Sequence, residues 1–89
     1  MKINDYLKKY HPQKMVKRNH EISVISDYDK DMVDGGVFVC LDNLKGFNKN
    51  YIDNACKLGA KTIILKKNLK VNRKKGINYV FVDSPVVDL

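Results

Sequence analysis

The sequence predicts an α/β domain: a mostly parallel sheet of four or five strands with helices packed against it. Three observations predict this class. Residues 37–41 (VFVCL) and 62–65 (TIIL) are apolar at successive rather than alternate positions, the pattern of strands covered on both faces. Between them lies a segment with helical spacing and a glycine stop, residues 49–59. Parallel neighbours need such a crossover, and its expected hand is right.

Taken in order, residues 4–10 (NDYLKKY) predict a short helix capped by Asn4, with Tyr6, Leu7 and Tyr10 on its apolar side, covering an edge of the sheet. Pro12 ends it, because the residue before proline is pushed out of helical geometry. Residues 14–20 (KMVKRNH) are basic and unpatterned and read as loop. Residues 22–26 predict a strand near an edge, from Ile22, Val24 and Ile25. Asp27, Asp29 and Asp31 copy the opening of a calcium loop, but Met32 stands where that loop needs glycine and Phe38 where it needs a bidentate Glu, so an acidic turn is the better reading. Gly35 and Gly36 make a turn into the strand at 37–41.

The central helix, about 49–58, can be capped by Asn48 or Asn50 and stopped by Gly59. Tyr51, Ile52, Ala55, Cys56 and Leu58 form its sheet-facing side. Lys49, Asp53, Asn54 and Lys57 fall on the other, where Asp53 and Lys57 make an i,i+4 pair worth about 0.3 kcal/mol. A strand follows at 61–66. Residues 66–75 (KKNLKVNRKK) carry six basic residues in ten and read as a solvated loop. Residues 77–82 form the last strand, and Ser84 with Pro85 reads as a helix start.

A chain of 89 residues allows a single domain, 1–89, burying roughly 60% of the surface its unfolded form exposes. No apolar run is long enough to cross a bilayer, and the first ten residues have neither a secretory core nor a transit-peptide bias, so the chain reads as soluble and cytoplasmic. Cys40 and Cys56 have no CxxC spacing and read as reduced core cysteines. Neither a phosphate-binding loop nor a dinucleotide fingerprint is present. His11 and His20 read as surface histidines without a nucleophile partner. A net charge of +7 opens a second class of function, a binding module for nucleic acid or another polyanion through Lys66, Lys67, Lys70, Arg73, Lys74 and Lys75. The scarcity of arginine, two among 17 basic residues, weighs against nucleic acid.

The stretch from Ile25 to Lys66 resembles the N-terminal domain of the Mur ligases, in particular the enzymes that add the third residue to the UDP-N-acetylmuramoyl dipeptide. The similarity lies in the strand entry Asp34-Gly35-Gly36-Val37-Phe38-Val39-Cys40, the helix start Tyr51-Ile52 with Ala55, and Gly59-Ala60 leading into Thr62-Ile63-Ile64-Leu65. Val82-Asp83-Ser84 is similar to the segment before that family's central domain. The resemblance implies a small Rossmann-like domain holding the UDP end of the muramoyl-peptide substrate. It implies too that ATP and Mg²⁺ belong to separate ligase domains, leaving this chain without a cofactor, a metal or catalytic residues of its own. On that reading the chain is a fragment of such a ligase or a stand-alone homologue, and its partners are UDP-muramoyl peptide and the remaining ligase domains.

By the same resemblance, the UDP-contacting positions are Asp27, Asp29, Lys30, Asn43, Leu44, Lys45 and Gly46. This sequence departs from the family there. The family's Asp-Ser-Arg turn falls on Tyr28-Asp29-Lys30, and its second uridine loop falls on residues 43–48 without its usual glycine and His/Tyr-x-Ala segment. A carboxylate in place of the serine can accept from the uracil imide but cannot donate to a carbonyl. Weak uridine binding that improves on Asp29→Ser is therefore expected.

Overall fold

The computed structural model describes residues 1–41 and 49–85, with the backbone alone at Lys49. Four strands, β1 (Ile25–Ser26), β2 (Gly36–Cys40), β3 (Ala60–Lys66) and β4 (Asn78–Val82), form one sheet in the order β1-β2-β3-β4. All three pairings are parallel. Helix α1 (Ile3–Tyr10) precedes the sheet, and helix α2 (Lys49–Leu58) crosses from β2 to β3. The predicted parallel α/β class is the observed one.

The continuous apolar runs divide by the strand period of two. Val37, Val39, Ile64, Val80 and Val82 face one side, where Ile3, Tyr6, Leu7 and Val16 cover them. Phe38, Cys40, Ile63 and Leu65 face the other, where Met32, Ile52 and Ala55 cover them. The molecule thus has three layers, with α1 and α2 on opposite faces of the sheet. Helix α1 lies over a face rather than over an edge as expected, because three of its side chains are fully buried against the central strands. The edge contact is made by the residues just before it: Met1 accepts from the Ile22 amide, and Lys2 bridges Glu21 antiparallel.

Asn4 does not cap α1, which begins after Lys2. Its first-turn amides are satisfied from the segment read as loop: Ile3 donates to the His20 carbonyl at 2.9 Å and Asn4 to Asn19 Oδ1 at 3.1 Å. The Asn4 side chain spends both its groups on Val16, donating to its carbonyl and accepting from its amide. The first strand is two residues long rather than five, since the Ile22 amide is taken by the chain start while Ser23 and Val24 bond Gly35 and Val37.

On α2, Ile52 and Ala55 are buried and Cys56 is half-buried, but Tyr51 and Leu58 are exposed. At about 100° per residue those two lie roughly 100–120° round from Ile52, beyond the stripe that touches the sheet. Asn54 turns to a neighbouring loop instead of solvent, and Asp53 meets Lys74 at 3.4 Å. The β3–β4 connection has no helix. Leu69, Val71 and Ile77 pack onto the α2 face in its place, and the Arg73 guanidinium lies 5.2 Å from the Phe81 ring centre. The helix expected from Ser84 falls in 86–89, outside the described residues, as do the candidate cap Asn48 and the loop before it.

Candidate functional site

In an open parallel sheet, the chain leaves each strand at the carboxyl edge, where loops can converge on a ligand. Ser26 ends β1 and pairs with Phe38 of β2, so the turn after β1 and the segment after Cys40 leave from adjacent strands. The turn after β1 is built by Ser26. Its hydroxyl accepts from the Tyr28 amide at 3.0 Å and donates to Asp31 Oδ2 at 2.7 Å, drawing residues 26–31 into a closed loop with one turn of 3-10 helix at Asp29–Asp31.

Asp29 is only 7% exposed, and its Oδ2 accepts from Asn54 Nδ2 at 2.7 Å. That charge-assisted bond offsets part of the cost of burying a carboxylate and ties the turn to α2. Asp27 and Lys30 are exposed beside it. Of the residues assigned to the UDP end, these three therefore share one turn, with Asp29 directed into the fold and the other two outward. Asn43, Leu44, Lys45 and Gly46 lie outside the described residues. Asp29 and Asp31 point to different partners, Asn54 and Ser26, so the calcium-loop spacing does not gather them around one point.

The amino edge holds a polar network that the sequence did not announce. His20 Nδ1 lies 2.8 Å from the Glu21 carbonyl and Nε2 2.8 Å from Thr62 Oγ1. A carbonyl only accepts, so in the neutral ring Nδ1 carries the hydrogen and Nε2 accepts from the Thr62 hydroxyl. Asn78 donates to that same hydroxyl at 3.0 Å and to the Arg18 carbonyl at 2.8 Å. Thr62 is fully buried. The network therefore fastens the 14–20 segment to the starts of β3 and β4, and borders a cleft of about 530 Å³ lined in part by Arg18, Glu21, Asp34 and Lys61. The available signal was a hydroxyl and an amide inside two apolar strands, each needing a partner once buried.

His11 is half-buried rather than a surface residue. Its Nε2 atom is buried with no hydrogen-bond partner among the described residues, and burial, then nearby Lys14, holds its pKa below the usual imidazole value. Cys40 and Cys56 form no disulfide, and burial pushes the Cys56 thiol pKa up. Among the described residues no helix is long and apolar enough to cross a membrane. No protein-family profile matches the chain, and no curated protein matches it.

Proposed function

We propose that this chain holds the uridine-diphosphate end of a UDP-N-acetylmuramoyl-peptide for an ATP-dependent amide ligase whose ATP- and amino-acid-binding domains are separate from it. The observation that carries the reading is that β1 and β2, the strands that precede in sequence the two segments resembling the family's uridine loops, are parallel neighbours. Both strands end at the same edge of the sheet, and Lys30 is exposed there, where it can meet a phosphate. The buried Asp29 then acts on the turn's shape through Asn54, more than on the base.

The test is titration calorimetry with UDP-N-acetylmuramoyl dipeptide, UDP and CDP. Weak binding that prefers uracil to cytosine and falls roughly tenfold in Lys30→Ala supports the reading, a factor that corresponds to about 1.4 kcal/mol. Asp29→Asn removes the negative charge while leaving an oxygen to accept from Asn54, so affinity should rise without loss of fold. Equal heats for UDP and CDP would remove the uridine assignment.

A further inference from the structure

The basic run at 66–75 is not one surface. It leaves β3 at the carboxyl edge and rejoins the sheet at Asn78 on the amino edge, so its two ends are separated by the length of β4, about 17 Å for five residues. Lys67 stays at the carboxyl edge, paired with Asp83 at 2.8 Å. Arg73, Lys74 and Lys75 arrive at the amino edge, where the fold sets them opposite Lys17 and Arg18 of segment 14–20.

Between these two segments lies a cleft of about 460 Å³ whose lining includes all five of those cations and no carboxylate. Both walls are fixed. The Arg18 carbonyl is held by Asn78 at 2.8 Å, Val16 by the Asn4 side chain, and the Lys74 amide donates to Tyr79 Oη at 2.8 Å. Lys74 is partly neutralised by Asp53, and Arg73 stacks over Phe81 and Tyr79. Lys17, Arg18 and Lys75 have no carboxylate partner among the described residues. A concave surface lined by one sign of charge concentrates counter-ions, and a planar guanidinium beside ammonium groups matches phosphate oxygens.

We infer that this cleft is a binding site for a small oligophosphate anion, distinct from the uridine edge at the opposite end of the strands. Its volume lies within the range of small-molecule sites. A nucleic-acid strand needs a longer track, and the split of the 66–75 run denies it one. The oligophosphate can be free or carried on a nucleoside, and the shared recognition element is the phosphate chain.

The experiment is a nuclear magnetic resonance and calorimetric titration of the 89-residue protein with inorganic tripolyphosphate, a nucleoside triphosphate, and a twelve-nucleotide single-stranded RNA. One-to-one binding of tripolyphosphate is expected, with the shifted amides confined to residues 15–18 and 73–79. A double variant, Lys17→Gln with Lys75→Gln, should lose at least tenfold in affinity. The charge-matched control, Lys67→Gln with Lys70→Gln, should lose less than twofold. All four lysines are exposed, and unchanged amide spectra of both variants in the absence of ligand confirm the fold. A nucleoside triphosphate binding as tightly as tripolyphosphate supports recognition of the phosphate chain alone, and a tenfold preference for it points to the nucleoside-borne source. Equal losses in the two double variants would reduce the effect to net charge and overturn the site. RNA binding much more tightly than tripolyphosphate, or no binding of tripolyphosphate at millimolar concentration, would overturn it as well.

Discussion

A methyl group at position 59 has nowhere to go. Gly59 has φ of +123°, and a Cβ there would come within 2.6 Å of the Asp34 amide nitrogen and 2.7 Å of the Val33 carbonyl carbon, both backbone atoms. The same glycine accepts from the Gly35 amide at 3.0 Å, so it joins the end of α2 to the turn before β2. Gly59→Ala combines backbone strain with a main-chain clash and should cost roughly 3 kcal/mol or more. Gly76, at φ +83° with nothing near its would-be Cβ, suffers the strain alone, so Gly76→Ala should cost about 1 kcal/mol. Urea melts of the two variants compare them directly. The glycine stop at 59 was legible in the sequence, but the crowding behind it was not, because Val33 and Asp34 reach it only through the fold. His11 offers a second test at this scale. Its folded pKa is lowered, so as pH falls below the unfolded value near 6.5 the unfolded chain takes up a proton that the folded chain resists, and stability drops between about pH 7 and 5. Asp83, lowered by its bond to Lys67, acts in a more acidic window. His11→Gln should therefore flatten the decline of Tm between pH 7 and 5 and leave the decline below pH 4 in place.

At the scale of elements, the local signals that match the fold are those of the central unit. The strand, helix, strand unit from β2 to β3 was visible because β-branched runs, a helical period and a glycine stop are signals within some thirty residues. Segment 14–20 gave no such signal because, beside the side chains of Val16, Asn19 and His20, it works through its main chain: the carbonyls of Val16, Arg18 and His20 and the Val16 amide hold α1 and β4, and backbone groups carry no sequence signature. Asn4, expected as a cap, is the residue that fastens this segment to α1. Asn4→Ala leaves the Val16 amide and carbonyl without partners in a partly buried site, which should cost about 1–3 kcal/mol. Native-state hydrogen exchange should show the Val16 amide losing protection while the amides of β2 and β3 keep theirs. The turn at 26–31 follows the same logic at the candidate uridine edge. Its acidic residues were evident, but their division between Ser26 and Asn54 depends on α2, which follows more than twenty residues later.

For the molecule as a whole, the unforeseen feature is that its two lids come from opposite sides of the sequence's own midpoint. The lid on one face, α2, is inserted between the strands it covers, so sheet and lid form together from neighbouring residues. The other lid, α1, is the first element in the chain and reaches Ile64, Val80 and Val82 across some sixty residues or more. Its amphipathic spacing told that it packs, but not on which surface, since a helix of eight residues can cover an edge or a face with the same side chains. The energetic consequence can be bounded. Ile3, Tyr6 and Leu7 are at most 1% exposed, and burying a large apolar side chain contributes about 1.5–3 kcal/mol, so the three together supply roughly 5–9 kcal/mol. A domain of this length is stable by only about 4–13 kcal/mol. Removing residues 1–10 also uncovers Val37 and Val39 and frees the Ile22 amide from Met1. The shortened chain should therefore lose its cooperative thermal transition, broaden its amide proton spectrum into a collapsed envelope, and bind an apolar dye. Adding a synthetic peptide of residues 1–10 should restore part of the dispersion, because the lid's contribution comes from its buried face and its bonds to residues 16–20. A shortened chain that melts cooperatively within a few degrees of the parent would show that the α2 half of the core suffices.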